Sequence, residues 1–174
     1  MSIAKLQLVT VGDAAPAMLK ELEAPLALHL QLPALPSKVS LNTPNYAFNK
    51  DRKQYHSNAI LRRLAALNTD AVSGILGLTD VDLFVPESEH VFGEADREAR
   101  SAVVSLFRLR QGASLDVVRQ RLQREVLHQA GHLLGLSICE DTRCVMSVST
   151  DPAELDRKHA GFCNLCKNEL QRLR

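Results

Sequence analysis

His128-Gln129-Ala130-Gly131-His132-Leu133-Leu134-Gly135-Leu136-Ser137-Ile138-Cys139 is the segment from which the rest of the chain is best read. Two histidines four apart on a helix share one face, with Cβ atoms about 5–6 Å apart, which suits a common metal ion. In the H-E-x-x-H arrangement the residue after the first histidine is a glutamate that serves as general base. Gln129 stands there instead. In the longer H-E-x-x-H-x-x-G-x-x-H arrangement a third histidine follows the glycine by three. Gly135 is in place, but Ile138 occupies the third-ligand position. Taken alone, the histidine pair also fits an ordinary polar stripe on an amphipathic helix.

A second motif follows at once. Cys139, Cys144, Cys163 and Cys166 are the chain's four cysteines, spaced C-x4-C-x18-C-x2-C. Two short pairs with one long separation suit a tetrahedral, closed four-cysteine zinc site of structural type. In a reducing compartment such clustering favours metal ligation over disulfides. Binding there would tie a loop-rich tail to the domain.

Composition sets the remaining bounds. The 174 residues are 45% hydrophobic and 24% charged, with a net charge of +1. That length reads as one domain. No broad electrostatic case exists for nucleic acid or an anionic membrane. Aromatics at 4% and the absence of Trp argue against base stacking, and hence against a zinc-ribbon nucleic-acid module. No apolar run approaches the ~20 residues of a membrane span. The N-terminal residues alternate like a strand and lack a signal peptide's apolar core, so the expected location is cytoplasmic.

Patterning predicts strands over 6–11, 27–32, 72–79 and 102–107, with a short edge strand at 91–93. Helices are predicted over 14–24, 57–67, 115–134 and 164–173. Ser114 is the expected N-cap of the third, and Gly135 its left-handed terminator. Residues 33–54 read as a long loop, and the tail from Cys139 as loop-rich until its last helix. Strands and helices in this order imply an α/β fold with a mixed sheet.

Together these residues resemble the archaemetzincin family of zinc peptidases, whose signature is H-E-x-G-H-x-x-G-x-x-H-C-x4-C-x-M followed by C-x-x-C. His128, Gly131, His132, Gly135, Cys139, Cys144, Met146, Cys163 and Cys166 match it. Upstream the likeness runs through Gln54-Tyr55-His56, the 77–83 segment, Val91-Phe92-Gly93 and the 102–106 segment. The resemblance implies a metzincin-like single domain over 1–174. A twisted mixed sheet and active-site helix would form an upper part (about 1–135), and a zinc-stapled subdomain the rest (about 136–174). It also implies that Met146 forms a turn beneath the metal and that the strand at Val91 rims a peptide cleft, where an extended peptide pairs by strand addition.

The departures point to impaired catalysis. A glutamine amide does not accept a proton at neutral pH, and loss of general-base help typically costs about 10²–10⁴ in rate. Ile138 has no lone pair. The expectation is a pseudoenzyme that keeps one structural zinc and a peptide-binding cleft. The alternative is an active zinc peptidase that recruits a substitute third ligand, with Asp141 first and Glu140 or His159 behind it. Asp80 and Asp82 are read as strand-end hydrogen-bonding residues, Tyr55-His56 as helix-entry packing, His29 and His90 as surface or rim residues, and Arg119, Arg121 and Arg124 as a solvated helix face.

Overall fold

The computed structural model describes residues 2–174. Its main sheet has the order β2-β1-β5-β8-β7, built from β1 (Lys5–Val11), β2 (Ala34–Pro36), β5 (Ser73–Thr79), β7 (Gly93–Asp96) and β8 (Ser101–Ser105). The first four strands of that order run parallel, and β7 closes one edge antiparallel to β8. A smaller sheet, β3-β4-β6, joins β3 (Phe48–Asn49), β4 (Gln54–His56) and β6 (Leu83–Phe84). Among the described residues the α-helices are α1 (Pro16–Lys20), α2 (Glu23–Leu30), α3 (Ser57–Leu67), α4 (Leu115–Leu134), α5 (Pro152–Arg157) and α6 (Asn164–Leu173).

Strand alternation explains why the central strands are apolar on both faces. Leu6, Leu8, Leu76, Leu78, Ala102 and Val104 point to one side, into a core shared with α1, α2, α4 and the tail. Val9, Val11, Ile75 and Val103 point to the other, against Ile60, Leu61 and Leu64 of α3. The first of these cores also takes in Val145, Leu155, Phe162 and Leu170, so the tail packs on the same interior as the sheet. Among the described residues, no helix is long and apolar enough to cross a membrane.

Four expectations need correction. Residues 27–32 are not a strand. On a strand Leu26, Leu28 and Leu30 would share a face, yet Leu26 and Leu30 are fully buried while Leu28 is 76% exposed. Leu22, Leu26 and Leu30 instead make a four-residue helical stripe, and the short run fitted both periods. The strand after this helix is β2, whose Pro36 is tolerated because β2 is an edge. The 33–54 segment is therefore not one loop, since it holds β2, a 3₁₀ turn at Asn45–Ala47, β3 and the start of β4. The edge strand starts at Gly93 rather than Val91, and Val91 forms only an isolated bridge to Leu83. Lastly, the tail contains α5, whose N-cap Asp151 accepts a bond from Glu154 N–H with Pro152 in the first turn. Asp151-Pro152-x-Glu154 is a helix-start signal that was legible.

Candidate functional site

α4 carries the histidine pair. Ser114 caps its start by accepting from Val117 N–H, and Gly135 ends it at φ 107°, a conformation that disfavours any side chain. Gly131 is needed for a different reason: a Cβ there would lie 2.5 Å from Met146 Sδ. The buried Met146 thus packs directly beneath the helix at the level of the histidines.

Both imidazoles are held by backbone carbonyls. His128 Nδ1–H donates to Val145 O at 2.7 Å, and His132 Nδ1–H donates to Leu136 O at 2.9 Å. These bonds fix the tautomers, leaving each Nε2 as a bare lone pair. The two Nε2 atoms face each other at 3.1 Å. Two nitrogens on a tetrahedral zinc would be about 3.3 Å apart, so the pair fits two ligands of one ion. Burial, then the Lys158 charge, lowers the His128 pKa to about 4. Burial and His128 also lower that of His132. Both rings are therefore neutral at pH 7, as ligation requires.

This has a consequence for stability. His128 titrates near 6.5 when unfolded and near 4 when folded, so its contribution is complete above pH 6.5 and is lost as pH falls towards 4. At pH 4 the loss from this residue amounts to about 3 kcal/mol. In urea titrations His128→Gln will lose less stability than the parent between pH 7 and pH 4 by about that amount; equal losses in the two proteins would contradict the assignment.

The pair opens into a cavity of about 550 Å³ lined also by Glu125, Gln129, Ile138, Gly93, Glu94, His90 and Thr150. Gln129, in the general-base position, is 95% buried and donates from Nε2 to Glu125 Oε1 at 2.7 Å. Ile138, the residue expected from the sequence at the third-ligand position, is 60% exposed and lines the cavity. Asp141 does not reach this cavity: it is exposed and its carboxylate accepts from Arg143 N–H in its own turn. Glu140 and His159 do not line it either. Among the described residues, no third Asp, Glu, His or Cys brings a ligand atom within 4.8 Å of both imidazoles.

The cysteines, by contrast, converge. The four Sγ atoms lie within 4.8 Å of one another, with Cys139 and Cys163 at 3.8 Å. Sulfurs on a tetrahedral zinc are expected about 3.8 Å apart. Cys144 Sγ accepts from the N–H groups of Met146 and Cys163, as metal thiolates commonly do. Burial pushes the Cys166 and Cys139 thiols above their ordinary value, and a cation among the sulfurs would reverse that.

Sequence reasoning missed Glu125 and Lys158. Glu125 is 96% buried, and burial pushes its pKa up. Its position four before Gln129 was the available signal. Lys158 is buried and donates to Val145 O and Ser147 O, bracing the carbonyl that holds His128. Arg121 is not solvated: it is buried, grips Asp156 with two bonds at 2.8 Å and donates to Leu109 O. Asp82 is buried under a two-pronged Arg108 contact, and His56 caps α3 by accepting from Asn58 N–H. His90 sits on the cleft rim, bonded to Thr150 O.

Comparison with known proteins agrees with this geometry. The description of peptidase family M54 matches residues 6–172. An archaemetzincin of Methanocaldococcus jannaschii is 37% identical over 136 residues, 75% of this chain and 74% of that one. One of Methanopyrus kandleri is 40% identical over 129 residues, 74% and 73% of the two chains. The crystal structure of the M. kandleri protein superposes with TM-score 0.86 at 32% identity, covering 98% of this chain and 96% of that one. A zinc-dependent peptidase of Methanocorpusculum labreanum matches at TM-score 0.86 and 25% identity, covering 95% and 99%. With matches of this extent, the chain belongs to the M54 peptidases, the archaemetzincin family of zinc metallopeptidases.

Proposed function

We propose that this protein binds peptides in the inherited cleft, carries one structural zinc on Cys139, Cys144, Cys163 and Cys166, and has little or no hydrolytic activity. The observation that carries this reading is the pairing of Gln129 with Glu125 beside a two-histidine site that lacks a third ligand. His128 and His132 would hold a second zinc weakly. A zinc there supplies Lewis acidity and an acidified water. The chain's own residues then limit the outcome: the Gln129 amide takes no proton, and Ile138 leaves a ligand position to solvent. The free edge of β7 offers backbone pairing to an extended segment. We place the structural zinc in a C-terminal part of about 136–174.

A second reading has one observation in its favour. Glu125 lines the same cavity with a raised pKa and is a buried carboxylate positioned to act as an alternative base. It predicts chelator-sensitive peptide cleavage that Glu125→Gln abolishes.

Elemental analysis of the dialysed protein distinguishes them. The first reading expects about one zinc per chain and no cleavage of a mixed peptide library. About two zincs per chain, with cleavage stopped by a chelator, would replace it with the second.

A further inference from the structure

β7 has a cavity on each of its faces. Gly93 faces Gln129 and Ala95 packs into the core beneath α4, while alternation turns Glu94 and Asp96 towards α3. On the α3 side lies a second cavity of about 580 Å³, lined by His56, Ser57, Leu61, Pro86, Glu87, Glu94, Asp96 and Glu98 among others. It meets the histidine cavity at Glu94, Ala95 and Arg97.

The second cavity is acidic and short of cations. Glu87, Glu94, Asp96 and Glu98 form no salt bridge among the described residues. The one cationic side chain in its lining, Arg97, has its guanidinium over Gly135 at the end of α4. Ser57 lines this cavity; it is fully buried and its Oγ has no hydrogen-bond partner. Burial first, and then the neighbouring Glu87 and Glu125, push the Glu94 carboxyl up. A small divalent ion does not fit the set, because no three of these ligand atoms gather within 4.8 Å. A guanidinium does: it is planar, carries five N–H donors and can span separated carboxylates. Leu61, Val85 and Pro86 give its aliphatic stem an apolar wall.

We propose that this cavity receives an arginine side chain of a peptide paired along β7, with Glu94 and Glu87 facing the charge and Ser57 Oγ accepting from it. An added strand alternates its side chains between the two faces of the sheet. The arginine is therefore adjacent in sequence to the residue that faces His128 and His132. This inference rests on the peptide-binding reading above, and its test separates the two.

Two probes are titrated into the intact, zinc-containing protein. Nα-acetyl-arginine amide is expected to shift the backbone NMR signals of Ser57, Leu61 and Ala95, with Nα-acetyl-norleucine amide leaving them in place. Among fluorescein-labelled hexapeptides differing at one position, arginine is expected to bind about tenfold tighter than norleucine. In Glu94→Gln that ratio collapses towards one while thermal unfolding is unchanged. Ser57→Ala, which keeps every carboxylate, weakens the arginine probe by about threefold. Equal shifts from the two amides, or an arginine preference that survives Glu94→Gln, would overturn the assignment. Shifts from the arginine amide without binding of any hexapeptide would uphold the cavity's preference and remove the peptide reading instead.

Discussion

Cys144→Ser is expected to lower the thermal midpoint by about 10 °C or more and to separate the unfolding of the tail from that of the sheet. Structural zinc sites contribute roughly 10–16 kcal/mol of binding free energy in small peptides, as much as the whole stability of a typical domain at about 5–15 kcal/mol. Cys144 is 99% buried and receives two backbone N–H bonds, so a serine there, whose oxygen sits closer to Cβ, pulls the acceptor back from those donors as well as breaking the sulfur set. The effect stops short of complete unfolding because Val145, Leu155, Phe162 and Leu170 still pack into the main core. Calorimetry of the parent with and without a strong chelator should reproduce the same change. A variant that melts like the parent, still cooperatively, would mean that the cysteines are ordinary reduced thiols.

Gln129→Glu combined with Ile138→His is expected to raise zinc content from about one to about two per chain and to increase chelator-sensitive peptide cleavage by at least about 10²-fold. Ile138 already sits at the margin of the cavity that holds both imidazoles, so the new ring starts close to them. The frame is otherwise built: carbonyls orient His128 and His132, and Met146 packs against Gly131 below. The carboxylate introduced at position 129 would lie against Glu125, since Gln129 Nε2 and Glu125 Oε1 are 2.7 Å apart. Two carboxyls that close share a proton, which raises one pKa towards the range useful to a base. The triple variant that adds Glu125→Gln is therefore expected to keep its second zinc but shift the acid limb of its pH–rate profile to lower pH. A double variant that still holds one zinc would show that the histidine frame is not a metal site.

Much of this molecule was legible because local rules and the fold agree. The amphipathic stripe of α3, the cap and left-handed stop of α4 and the boundaries of α6 follow from spacing, Ser114 and Gly135. Where they failed, the reason was a tie that only packing breaks. The 27–32 run fits both periods, and burial of Leu26 and Leu30 with Leu28 outside decides for helix. Arg121 looked like surface because no local pattern announces Asp156, which arrives from 35 residues away.

The sequence by itself determined the chemistry available: which helix presents two imidazoles, that its base position holds an amide, that its third arm is apolar, and that four sulfurs recur at metal spacing. Those are properties of residue type and short separation, fixed before folding. Tertiary structure alone decided which groups meet. It held His128 through the carbonyl of Val145, kept Asp141 outside the cavity, buried the Glu125–Gln129 pair, and put an acidic cavity behind β7. These depend on contacts between segments distant in the chain or on burial, which no local stretch of sequence specifies.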